Sequence, residues 1–385
     1  MNPAPDRPRL EALSSLRFFA AAYIFLFHAL AMKILDRARA PAGLKYFAES
    51  GYIAVSFFFV LSGFVLVYGY ADRVTDTLRF VKSRLARIYP AYLLALAFGG
   101  FFFFAINLMD IPDLRWFARH QVLMTVSTLT LTQSWIPQAA MGWNAPGWAV
   151  SVFLFYYAIF PTVSRRLARM SSRAIFGMVT AAWLCSLGVA TAYVIFAPDG
   201  VRHVDRVPGT LTWLNFVKFN PVMRLSEFLM GMAIGYAVAR ATPTARRATA
   251  SLAAGVALLA LLIAAQKWIP YPVMHTGLAA PAFGLIIYGL TVPPRWLGWL
   301  SAKPLTALGD ASLSFYLLHS NMMGMFLMDF RNPDAPLSWL RIGFVFLITT
   351  GISLALYRWY EVPARKKFDP AKKKAKVEVA EAVAA

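Results

Sequence analysis

Arg17 and His28 stand eleven residues apart in an apolar run, LSSLRFFAAAYIFLFHAL, residues 13–30. At about 100° and about 1.5 Å per residue, eleven residues make three turns plus about 20°, and about 16 Å of rise. The two side chains therefore share one face of a helix. Ionisable groups within an apolar helix are costly to bury, so two on one face point to a shared polar path. An imidazole with a reference pKa of about 6.5 can take and return a proton near neutrality. A guanidinium offers hydrogen-bond donors to an anion or to a polarised oxygen. Simpler roles stay open: Arg17 reaching to the membrane surface, and His28 as a contact between helices.

A second constellation follows in RLARIYP, where Arg84 and Arg87 sit three residues apart on one helix face. They can act as topology determinants, or their guanidiniums can bind a phosphate through paired hydrogen bonds. Four more polar positions interrupt apolar runs and are candidates for lining a cavity. Ser62 precedes Gly63 in SFFFVLSGF, a small pair that also permits close backbone approach. Ser151 lies in NAPGWAVSV. Arg224 and Glu227 of RLSEF read as an ion pair or as cavity residues. Asp310 is expected to cap the helix that begins after it.

The elements that must carry these residues are membrane helices. The chain of 385 residues is 59% hydrophobic and only 15% charged, with a mean hydropathy of +0.56. This is the profile of a polytopic membrane protein. A formal charge of +20 could suggest nucleic acid, but the basic residues lie between apolar runs, where they set topology. One cysteine, Cys185, leaves no intrachain disulfide. No inverted repeat of the transporter kind is visible. The first apolar run lacks a cleavage site and reads as a retained span.

Runs of about 20 apolar residues occur near 13–32, 51–70, 86–107, 148–164, 174–197, 223–240, 248–266, 275–292, 312–328 and 338–358. The expected fold is thus all-α, a bundle of about ten transmembrane helices with both termini cytoplasmic. In that arrangement the cytoplasmic segments hold roughly twice the Lys and Arg of the external ones. An eleven-span alternative must export the basic loop from Arg73 to Arg87. It must also insert QVLMTVSTLTLTQSW, which is rich in Ser, Thr and Gln and reads better as a half-helix or interfacial segment. Residues 1–365 are taken as one membrane domain, and 366–385 as a basic, disordered cytoplasmic tail whose lysines meet anionic lipid.

RFFAAAYIFLFH, SFFFVLSGF, RLARIYP, NAPGWAVSV, RLSEFLMGMAIG and LGDASLSFYLLH occur in this order, closing with YEVPAR. Together they resemble the integral-membrane acyltransferase 3 family, over nearly the whole chain. The resemblance implies a ten-span bundle in the inner (plasma) membrane. It implies transfer of an acyl group, usually acetyl from cytoplasmic acetyl-CoA, to a hydroxyl of an extracytoplasmic or lipid-linked carbohydrate, without a metal. It further implies that Arg17 and His28 are catalytic, that Arg84 and Arg87 hold acyl-CoA, and that His319 belongs to the polar site. A separate extracytoplasmic protein could relay the acyl group. One position departs from the family pattern: the fourth span reads WAVSVFLFYY, with Phe153 where relatives carry an acidic residue. A polytopic transporter and a non-catalytic relative are the rival readings.

Overall fold

The computed structural model describes residues 9–32, 41–70, 76–105, 115–201, 211–327 and 339–364. The expected tail lies outside these residues. Among the described residues every regular element is helical. In chain order they are α1 (Glu11–Ala31), α2 (Ala42–Glu49), α3 (Ala54–Tyr70), α4 (Thr77–Ala105), α5 (Arg115–Arg119) and α6 (Gln121–Leu129). Next come α7 (Trp148–Ala168), α8 (Ser172–Phe196), α9 (Thr212–Phe219), α10 (Leu225–Arg240), α11 (Ala245–Ala265) and α12 (Tyr271–Val273). The last are α13 (Ala280–Gly289), α14 (Lys303–Asp310), α15 (Ser312–Leu327) and α16 (Trp339–Leu356).

Among the described residues, six segments are long and apolar enough to cross a membrane: Glu11–Ala31, Ala42–Tyr70, Ala145–Ala168, Ser172–Phe196, Ala245–Ala265 and Leu340–Ala364. The other four expected runs also form helices. Three of these are short: α10 and α15 have 16 residues each, and α13 has 10 beyond a π-helical turn at Met274–Leu278. The fourth, α4, starts with a basic stretch. The doubtful polar run supplies α6, nine residues and about 13 Å long, less than half a hydrocarbon core.

Burial separates an inner helix from an outer wall. The apolar window containing α3 is 78% buried, whereas those of α8 and α11 are 22% and 17% buried. An apolar helix that leaves most of its surface uncovered in the bundle is suited to lipid, and one that is apolar and covered all round belongs to the core. Glycine brings α3 against α10. A Cβ at Gly63 would collide with the Phe228 carbonyl, and one at Gly231 with the Val60 carbonyl, so the backbones touch where only hydrogen fits. That contact fixes α10, and with it Arg224 and Glu227, beside the core helix.

Candidate active site

A cavity of about 460 Å³ opens at one end of the bundle. It is lined by the starts of α1, α4 and α15, the length of α3, and the turn Tyr357–Glu361. Its lining on α3 runs from Tyr70 back to Val55, fifteen residues or about 22 Å of helix. Arg17, Ser62, Arg84 and Arg87 all line it. Four expected residues, separated by as many as 70 positions in sequence, thus meet at one volume.

The arginines there differ in what holds them. Arg17 donates to Ser14 Oγ at 2.7 Å and lies 3.7 Å from Asp310. Arg9 makes the closer pair with the same carboxylate, at 2.6 Å, which raises the Arg9 pKa above its ordinary value. The Asp310 side chain is therefore turned to these two arginines. The expected helix-capping bond is replaced because two guanidiniums offer a carboxylate more than a backbone N–H does. Arg84 donates to the Tyr70 hydroxyl at 2.9 Å and lies over its ring. Phe153 also lines the cavity, stacked on Tyr157 and set edge-on to Phe59. The wall is apolar at the position where the family resemblance implies an acid.

The opposite end holds His28, in the last turn of α1. Its Nδ1 is 2.8 Å from Nε2 of His319, whose own Nδ1 is 2.5 Å from the Tyr316 carbonyl. A carbonyl only accepts, so His319 carries its proton on Nδ1 and presents a lone pair at Nε2. His28 then donates from Nδ1, and its Nε2 lone pair is free. His319 is fully buried while His28 is partly exposed, so the free nitrogen belongs to the reachable ring. Tyr316 links the two ends: its side chain lines the cavity and its carbonyl orients His319.

Beside this pair lies a buried charged cluster. Arg224, 1% exposed, grips Glu227 with both arms, Nε to Oε2 at 2.7 Å and Nη2 to Oε1 at 2.9 Å. Its Nη1 reaches Nδ1 of His275 at 3.0 Å and also the His275 carbonyl. The ion-pair alternative for Arg224 and Glu227 is thus the one the structure adopts, away from the cavity. His275 sits in the π-helical turn, stacked on Tyr52. There Gly277 takes φ +82°, and a Cβ on it would strike the Glu227 side chain. Ser151 is buried elsewhere, donating to the Leu131 carbonyl at 2.6 Å.

Sequence reasoning passed over His275 and Lys218. His275 lies in a stretch broken by proline and glycine, PYPVMHTGLAAP, and such interruption of an apolar run was the available signal. Lys218 reads in sequence as one more topological charge, yet it is only 5% exposed. Among the described residues no three His, Cys, Asp or Glu side chains gather as a metal site needs.

Residues 10–358 match the family model of the acyltransferase 3 domain, described as an acyltransferase domain. The chain belongs to that family. It is 30% identical over 329 residues to acyltransferase MdmB of Streptomyces mycarofaciens, covering 82% of this chain and 79% of that one. It is 35% identical over 116 residues to "Protein 2 in picA locus" of Rhizobium radiobacter, covering 29% of this chain and 54% of that protein. No solved structure matches it. This acyltransferase 3 protein is a membrane acyltransferase, and its helices place Arg17, Arg84 and Arg87 on the cavity and His28 against His319.

Proposed function

We propose that the protein transfers an acyl group, acetyl in the first instance, from cytoplasmic acyl-CoA to a hydroxyl of an extracytoplasmic or lipid-linked carbohydrate. The bundle then spans the inner membrane ten times with both termini cytoplasmic, α4, α10, α13 and α15 completing the six apolar spans. The observation that carries this reading is the oriented pair His28–His319. It lies outside the lining of the arginine-lined cavity but is joined to it through Tyr316, a lining residue whose carbonyl holds His319.

In this mechanism Arg84 and Arg87 hold the phosphates of acyl-CoA, where forked guanidiniums pair with phosphate oxygens. The acyl-bearing arm extends along α3 past Arg17, through a cavity whose α3 wall is about 22 Å long. His28 Nε2 accepts the proton of the acceptor hydroxyl as its oxygen attacks the thioester carbonyl. The His28 Nδ1–H bond to His319 holds the ring in the tautomer this requires. A neutral imidazole, anchored by a carbonyl, thus does the orienting that a carboxylate does in many triads, which accommodates Phe153.

The test uses purified protein in lipid nanodiscs with acetyl-CoA and longer acyl-CoAs, reading CoA release with and without carbohydrate acceptors. Acceptor-dependent release that vanishes in His28→Ala supports the reading. Phe153 favours one second reading, a non-catalytic relative, and no release with any donor selects it. Mass spectrometry of surface glycans from cells with and without the gene identifies the acceptor.

A further inference from the structure

Lys218 differs from every other buried charge near His28. Arg224 hydrogen-bonds through both terminal nitrogens to Glu227, His275 and Ser56, and its Nε lies in ion contact with Glu227. Glu227 is held by Arg224, and His319 by Tyr316 and His28. Lys218, 5% exposed, has neither a carboxylate nor a hydrogen-bond partner among the described residues. Its Nζ lies over two ring faces, 4.6 Å from the centre of Phe219 and 5.3 Å from that of Tyr271. Ring faces attract the cation while leaving its N–H donors unused. The side chain keeps N–H donors whether it is an ammonium or an amine.

Its placement is fixed. The Asp199 carboxylate accepts from the backbone N–H groups of Trp213 and Leu214, at 3.1 and 2.8 Å, tying down the first turn of α9. Beyond α9, Asn220 Oδ1 accepts from Val222 N at 2.9 Å and turns the chain into Arg224. The Tyr271 ring beneath Lys218 packs on Tyr52 at 4.9 Å, and Tyr52 packs on Phe27 at 5.3 Å, whose ring lies 5.1 Å from that of His28. A held donor with no competing acceptor, in the aromatic shell that also reaches the general base, is what a developing oxyanion needs.

We propose that Lys218 is a catalytic residue that donates a hydrogen bond to the thioester carbonyl oxygen as it becomes an oxyanion. The inference rests on the acyl transfer proposed above. The acceptor oxygen bonds to the carbonyl carbon while its proton passes to His28 Nε2. The carbonyl π pair moves onto oxygen, where Lys218 receives it. Collapse restores the carbonyl, breaks the carbon–sulfur bond, and returns the proton from His28 to the departing thiolate. Nothing else is consumed. Arg224 cannot serve here, because both its terminal nitrogens are hydrogen-bonded and turning it away would strand Glu227.

The experiment compares wild type, Lys218→Met, Lys218→Arg and His28→Ala in nanodiscs. The donor is acetyl-CoA, and the acceptors are water, a neutral oligosaccharide and a carboxylated one. The expected result for Lys218→Met is a kcat lower by about 10²–10³-fold with every acceptor, an unchanged KM for acetyl-CoA and an unchanged melting temperature. Lys218→Arg should recover at least part of that loss. A kcat for Lys218→Met within threefold of wild type overturns the proposal while leaving the base reading intact. A loss confined to the carboxylated acceptor also overturns it, making Lys218 an acceptor anchor. A lowered melting temperature with no rescue by arginine overturns it in favour of a structural role. Full activity in His28→Ala would remove the base and leave the lysine to be judged on its own variants. A wild type inert to every acceptor overturns both.

Discussion

The two ends of the bundle use the same residue types in opposite ways. At the cavity end, Arg9, Arg17, Arg84 and Arg87 surround a volume of about 460 Å³, with Asp310 paired to Arg9 and Arg17 and Glu361 also on the lining. At the other end Arg224 and Glu227 are packed together in an ion pair, with both terminal guanidinium nitrogens hydrogen-bonded. The first arrangement leaves positive charge facing a space that an anion can enter. The second neutralises its charge internally and serves to hold other groups in place. Cationic side chains that face an open volume can meet a ligand, whereas those packed into an ion pair cannot. Lys218, over ring faces with no hydrogen-bond partner among the described residues, is not packed as Arg224 is.

The comparison can be broken most severely at His28. His28→Ala should lower acyl transfer by about 10²–10⁴-fold with acyl-CoA affinity retained, measured by CoA release and by equilibrium binding. Retained transfer would mean that the far end does no chemistry. Next comes the packed pair. Glu227→Ala leaves a buried guanidinium unpaired and should cost about 3–5 kcal/mol, read as a lowered unfolding midpoint in nanodiscs, whereas replacing both partners by apolar residues should cost less. If the single variant melts like wild type, the pair is not structural.

His319→Ala tests orientation rather than proton transfer. It should reduce kcat on the order of 10²-fold with KM unchanged, a smaller loss than removal of the base itself. Arg84→Ala and Arg87→Ala probe the cavity end. Each should raise the KM for acyl-CoA roughly tenfold with kcat retained, as loss of one charged hydrogen bond predicts; effects on kcat alone would move these arginines out of the phosphate site. The smallest effect is expected at Arg9, whose side chain is 54% exposed. Arg9→Ala should cost less than about 1 kcal/mol and nothing measurable in high salt.

Much of this was legible in sequence, for reasons that differ by residue. Apolar runs sized to a bilayer marked the helices, because a membrane requires each span to satisfy its own backbone. Eleven-residue spacing put Arg17 and His28 on one face, and three-residue spacing did the same for Arg84 and Arg87 and for Arg224 and Glu227. Local geometry determines such pairs. Spacing carried no information on which pair faces a cavity. Arg84 and Arg87 line it while Arg224 and Glu227 are sealed away, because the close approach of α10 to α3 at Gly63 and Gly231 leaves no room there. Ser62 and Ser151 read alike in sequence, and only packing sends one to the cavity and the other to the Leu131 carbonyl.

The sequence by itself determined the family, the helical character and the residues on each helix face, since all three depend on order and periodicity along one chain. Tertiary structure alone decided that His319, 291 positions from His28, orients it. It alone turned Asp310 toward Arg9 and Arg17 and placed Lys218 under aromatic faces with its donors unused. These are contacts between helices, and the physical reason is general. A side chain's partners across a bundle follow from how backbones pack, and no periodicity within a single helix encodes them.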